Sequence, residues 1–118
     1  MYGNFELIVE GKELTYVLSA LFEPKTKSYH MPSFIAYRDY GMTYEKDIFY
    51  WDNDSYLHDT FYKKVIMPWY LNQKIVDPEE FAEFIDNEGV SIKDIGLIAE
   101  MFQKADELGL FYEHQKSS

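Results

Sequence analysis

Every second residue from Phe5 to Val9 and from Leu14 to Leu18 is apolar, and between the two runs Gly11-Lys12 has the Gly-X order of a two-residue type II′ turn. Pairing outward from that turn sets Val9 opposite Leu14, Leu7 opposite Tyr16 and Phe5 opposite Leu18 on one face. The other face receives Glu10/Glu13, Ile8/Thr15, Glu6/Val17 and Asn4/Ser19. A turn-dictated register that leaves one face apolar predicts a hairpin over 4–22. Leu14, Val17, Leu18, Leu21 and Phe22 also keep helical spacing, so a helix over 14–22 is the rival reading, and the hairpin is preferred. Residues 23–32, with Pro24 and Pro32 at either end, predict a loop. Ser33–Arg38 and Thr43–Trp51 predict a second hairpin, over 33–51, around Asp39-Tyr40-Gly41.

The pattern then turns helical. Asp52-Asn53-Asp54 can cap a helix over 55–66 that Pro68 ends, while 69–76 fits no period. Asp77-Pro78-Glu79-Glu80 combines a capping Asp, Pro at the first helical position and acids at the positive end of the dipole, and so starts a helix over 78–88. Phe81, Phe84 and Ile85 form its stripe and Gly89 closes it. Ser91-Ile92-Lys93-Asp94 has the form of a capping box with Asp in place of Glu, opening a helix over 92–108 that Gly109 terminates. That helix is apolar around most of its circumference and is expected to be the central packing element. Residues 110–113 predict a short strand and 114–118 a frayed tail. The whole predicts an α+β fold, one domain over 1–113, with an N-terminal antiparallel sheet packed against three helices.

Composition supports a packed core. The chain has 118 residues, 47% of them hydrophobic and 19% aromatic, enough to bury a core without staples. With zero cysteines, disulfides, Cys-based zinc sites and thiol catalysis drop out. No basic leader precedes an apolar run at Met1, and the longest apolar stretch, Val65–Leu71, is broken by Pro68, so neither export nor a membrane span is expected. A cytoplasmic location follows as the expectation.

Motifs for chemistry are weak. Asp52-Asn53-Asp54 opens like a calcium loop, but Leu57 and Lys63 stand where Gly and a bidentate acid are needed. Asp54 and His58 share a helical face as a metal half-site would, although a capping acid beside an exposed His is the commoner arrangement. There is no Gly-x-Ser-x-Gly or Ser-x-x-Lys, and the six glycines stand singly, so no activated nucleophile or phosphate loop is recognisable. Carboxylate pairs such as Glu79/Glu83 and Asp54/Asp59 have no specificity on an acidic surface. No enzyme activity, cofactor or metal is expected.

Charge changes the picture more than any motif. Residues 77–113 hold eleven acids against Lys93 and Lys104, a net −9 of the chain's −10, while residues 1–76 hold ten acids and eight bases. The helices over 79–88 and 92–108 have the outline of a helix-turn-helix, yet so negative a segment repels phosphates, and direct nucleic-acid binding is not expected. Such a field attracts cations. Helix 79–88 contains no lysine, so its like charges repel at one-turn spacing by a few tenths of a kcal/mol per pair.

The stretch 50–62 interleaves Asp52, Asp54 and Asp59 with Tyr50, Trp51, Tyr56 and Tyr62, a mixture of contact area and charge suited to a Lys- or Arg-rich partner. Residue by residue, the simpler reading makes the rings core or sheet-face groups and the acids helix caps and solubilising charge. In general character this small, cysteine-free, acidic, Tyr-rich chain resembles bacterial immunity proteins, or antitoxins. That resemblance implies a basic protein partner such as a nuclease toxin, occluded by carboxylates and aromatics in the place of phosphates and bases. The candidate partner-binding residues are Glu79, Glu80, Glu83 and Asp86, then Asp52, Asp54, Tyr56 and Asp59. A DNA-mimicking accessory protein of phage or host is one alternative. A small enzyme or ligand-binding domain with a pocket between sheet and helices is another, and self-association through an exposed sheet edge stays open.

Overall fold

The computed structural model describes residues 3–40, 43–53, 55–87 and 89–111. Four strands, β1 (Gly3–Glu10), β2 (Thr15–Glu23), β3 (Ser28–Tyr40) and β4 (Thr43–Trp51), form one antiparallel sheet in the order β1-β2-β3-β4. Three helices cover one face. α1 runs from Tyr56 to Ile66 and continues through Met67–Tyr70; α2 runs from Pro78 to Ala82 and on through Glu83–Asn87; α3 spans Ile95–Glu107 after a tight turn at Ile92–Asp94. The α+β class is as the sequence predicts, and 14–22 is strand rather than helix.

The first hairpin keeps its faces but not its register. Leu7 pairs with Leu18 and Val9 with Tyr16, two residues further along β2 than the turn chemistry dictates. Because side chains alternate with period two, this even slide leaves Phe5, Leu7 and Val9 on the side of Tyr16, Leu18 and Ala20. The cause lies 78 residues or more away. The Tyr16 hydroxyl donates to Asp94 Oδ2 at 2.6 Å, and the Lys12 N–H donates to Asp94 Oδ1 at 3.0 Å. The loop closes on itself through the Gly11 N–H and the Leu14 carbonyl at 2.8 Å. A Cβ on Gly11 would stand 2.3 Å from Asp94 Oδ2 and 2.7 Å from the Tyr16 ring, so this glycine is required for close approach.

The predicted loop at 23–32 is largely strand. β2 and β3 are joined by a tight turn over 24–27, with Lys27 at φ 53°. β3 thus begins at Ser28, and the two hairpins merge into one meander. Pro32 is accommodated because the pairing jumps from Ser19↔Ser33 to Leu21↔His30, so that Met31 (φ 55°) and Pro32 bulge opposite Ala20. A bulge is where a strand tolerates a residue with no N–H to give.

Pro68 does not end its helix, which continues to Tyr70. The turns over Tyr56–Ile66 are wide, and the Met67 N–H reaches the Tyr62 carbonyl five residues back. Pro68 leaves the Lys64 carbonyl without its helical donor, and the N–H groups of Val76 and Asp77 fill it at 3.0 and 3.2 Å. Asp77 then caps α2 by accepting the Glu80 N–H at 3.2 Å. The defect in one helix fixes the start of the next. No strand forms at Leu110 and Phe111, which are buried and irregular; the rest of that predicted strand, and the predicted tail, lie outside the described residues.

The core is aromatic. Phe34 of β3 lies 5.0 Å from Phe102, 5.3 Å from Phe49, 5.7 Å from Phe61 and 6.0 Å from Trp51, ring centroid to ring centroid. It joins the sheet to α1 and α3, and Phe61 carries the contact on to Phe84 of α2 at 4.7 Å. Ile95, Ile98, Ala99, Met101, Phe102 and Ala105 are the buried side of α3, which is the central packing helix.

Tyr16→Phe should lower stability by about 1–3 kcal/mol by taking one of two donors from a buried carboxylate. Gly11→Ala is expected to cost at least as much. Urea unfolding measures both, and a Tyr16→Phe midpoint equal to wild type would show that the Asp94 contact contributes nothing.

Candidate partner-binding surface

α2 arranges the acids by what surrounds each one. Glu79 and Glu80 occupy its first turn, where the unpaired N–H groups and dipole stabilise negative charge, so their presence has a structural account. Glu80 has a second: its Oε1 accepts the Tyr56 hydroxyl, tying α2 to the start of α1. Glu83 and Asp86 have neither. Both are exposed, on the far side of the helix from the buried Phe84. Helix α2 itself carries no lysine or arginine, and Arg38 of the sheet pairs with Glu13 at 3.9 Å.

The second group of predicted residues divides. Asp52 is exposed at the β4–α1 corner, beside Trp51, whose ring packs 5.5 Å from Phe84. Tyr56 joins the first group through Glu80. Asn53 caps α1, its Oδ1 accepting the Tyr56 N–H at 2.9 Å. Asp54 lies outside the described residues. Asp59 faces away from α2: its Oδ1 lies 3.0 Å from His58 Nδ1, whereas His58 Nε2 lies 3.5 Å from Asp106 Oδ1 of α3. His58, expected to be exposed, is 4% exposed, its ring 5.0 Å from Phe111 and 5.9 Å from Tyr62. Histidine at one-turn spacing from a cap acid reads as surface from sequence because the apolar partner that buries it, Phe111, is more than fifty residues away.

The aromatic half of the predicted surface is mostly core. Trp51 stacks on Phe49 at 4.6 Å, and Tyr62 stacks 5.8 Å from Phe102. Burial, with Asp106 and then Glu107 adding to it, pushes the Tyr62 hydroxyl up to about 12. Tyr16 is held far above the ordinary tyrosine range by burial first, then by its hydrogen bond to Asp94 and the charge there. Tyr50 alone of the four rings is strongly exposed, 57%, and it stands on the opposite side of the sheet. Strand alternation carries the signal: Phe49 and Trp51 point inward, so Tyr50 must point out.

Sequence reasoning missed Asp94 as an anchor. As the acid of a capping box it should reach back to Ser91, but its oxygens are taken by Tyr16 and Lys12, and Ser91 Oγ caps alone, accepting the Lys93 N–H at 3.3 Å. The depression beside the Met31–Pro32 bulge, about 340 Å³, is lined by Asn4, Glu6, Ser19, Ser33 and Tyr50 among others and brings no set of titratable groups together. Among the described residues no group of His, Asp and Glu could hold a metal, and no helix is long and apolar enough to cross a membrane. Compared with known protein families, curated proteins and solved structures, the chain matches none.

Tyr62 has an alkaline consequence. Its folded-state proton affinity exceeds the unfolded value of 10.0, so the stability it contributes is present in full below pH 10 and lost as pH rises towards about 12. Tyr62→Phe should flatten that decline in a pH series of unfolding midpoints. An unchanged decline would place its origin elsewhere.

Proposed function

We propose that this chain is an acidic binding module that occludes a cationic protein, in the manner of an immunity protein acting on a basic nuclease, with no catalytic activity of its own and in the cytoplasm. The observation that carries this reading is the exposed flank of α2 at Glu83 and Asp86, on a helix whose own sequence holds no base and where capping does not account for the charge. Glu79 extends that flank and Asp52 lies at the neighbouring corner. Exposed carboxylates held on a helix anchored at its start and packed on the core through Phe84 need little reordering to meet lysine or arginine. Tyr56 and Glu80 act in this reading as the support that holds α2 against α1, rather than as direct contacts. Asp59 belongs to the His58 cluster and is peripheral to it.

The partner to test is a basic nuclease toxin, sought first in the reading frames beside this chain's own gene. Glu79→Lys/Glu83→Lys/Asp86→Lys should weaken its binding by about a hundredfold or more while leaving the circular dichroism unchanged, since like charges across an interface cost several kcal/mol. Association of the wild type should slow steeply as salt rises, because steering is screened beyond about 8 Å at physiological ionic strength. An on-rate indifferent to salt, or a triple variant that binds normally, would remove α2 from the interface.

A further inference from the structure

The face of the sheet turned away from the helices is not built like a solvent face. Ile8 pairs with Val17, Val17 with Ile35 and Ile35 with Tyr50, so one apolar row crosses all four strands at a single level. Ile8 is 56% exposed, Tyr50 57%, and Met31 beside them 74%. None of the row belongs to the core cluster under the helices, and within it Ile35 is half-buried and Val17 is covered to 8% exposure by its neighbours. The outward positions Thr15, Val17, Ser19 and Leu21 of β2 and Ser33 and Ile35 of β3 carry no charge, whereas an open antiparallel face ordinarily reads polar. Among the described side chains of this face, charge stands at the rim, at Glu6 and Glu10 of edge strand β1 and at Glu23 at the end of β2, which lies 3.5 Å from His30. An uncharged centre inside a charged rim is the anatomy of an interface. Its polar pair is partly prepared for burial, because the Ser19 and Ser33 hydroxyls hydrogen-bond each other at 2.9 Å and leave one O–H donor between them to be satisfied when covered.

We infer that this face binds a second copy of the same chain, sheet against sheet, about a two-fold axis parallel to the strands. That axis reverses the row: Ile8 of one copy meets Tyr50 of the other, and Val17 meets Ile35. It also sets β1 over β4 of the partner copy. The two Glu6/Glu10 rims are then separated by three strand spacings of about 4.8 Å, beyond the screening length of about 8 Å. A two-fold axis across the strands would stack those glutamates on their own copies. The shape agrees. Each chain is a slab of 40 × 40 × 19 Å, and two slabs joined on their broad faces make a body of nearly equal dimensions. Strands of eight or nine residues at about 3.4 Å per residue, four abreast, offer about 600 Å² per copy, the lower end of a specific interface and suited to a micromolar dimer. α2 lies in the helical layer, so the dimer leaves its acids free and the inference stands apart from the cationic-partner reading.

Sedimentation equilibrium of the full chain should show a concentration-dependent monomer–dimer equilibrium in the absence of any partner. Ile8→Asp/Tyr50→Asp should weaken it at least tenfold with the urea midpoint unchanged, since both side chains are exposed in the monomer. The chain has no cysteine, so Ile8→Cys and Tyr50→Cys singles can be mixed and treated with a bismaleimide that spans about 10 Å, the distance between facing sheets. Crosslinking of the mixture, and not of either variant alone, supports the strand-parallel axis. A wild type that stays monomeric at millimolar concentration, a dimer untouched by the double aspartate variant, or Ile8→Cys crosslinking to itself would each overturn the inference.

Discussion

One buried carboxylate governs how the two ends of this chain meet. Asp94 is 3% exposed, and a charge so far out of water is tolerated only where donors replace the water. Tyr16 and the backbone of Lys12 supply them from the first hairpin. The cost of breaking that arrangement exceeds the preference of a two-residue turn, so the hairpin yields: the loop widens to Gly11–Leu14 and β2 slides by two positions. Gly11 has no side chain because the carboxylate occupies that space. The turn leading into α3 yields as well, since Asp94 no longer reaches back to its own cap. Local preferences on both sides give way to a single long-range contact.

This explains which parts of the fold were readable beforehand. Signals that act within one element survived: the in/out alternation of β1 and β2, the Asp77-Pro78 start of α2, and the periodic apolar side of α3. Signals that depend on a distant partner did not. Nothing near Gly11 announces Asp94, nothing near Pro32 announces a bulge opposite Ala20, and nothing near Pro68 announces that Val76 and Asp77 will occupy the carbonyl it frees. The candidate surface divides the same way. Charge on α2 is exposed because the opposite side, led by Phe84, is committed to the core, and that much follows from periodicity. Which tyrosines remain outside does not, because Tyr62 and Tyr56 are claimed by Phe102 and Glu80 from other helices.

The result is a slab whose broad sides differ in chemistry. On the helical side, exposed carboxylates project from a framework fixed by aromatic packing. On the sheet side, an apolar row crosses the strands, with the acids Glu6, Glu10 and Glu23 towards the margins. The sides can act at different ranges: long-range attraction, weakened by salt, on one, and short-range contact, driven by removal of water, on the other.

The backbone link between α1 and α2 has its own implication. Lys64 receives Val76 and Asp77 through main-chain atoms alone, so the exposed side chains of Leu71, Gln73 and Lys74 are free to drift while the number of residues in the connection is not. Lengthening or trimming that segment would displace the start of the acidic helix, while Phe84 ties the rest of α2 to Phe61 and Trp51. The aim of the charged flank is therefore coupled, through one surface connection, to the packing beneath it.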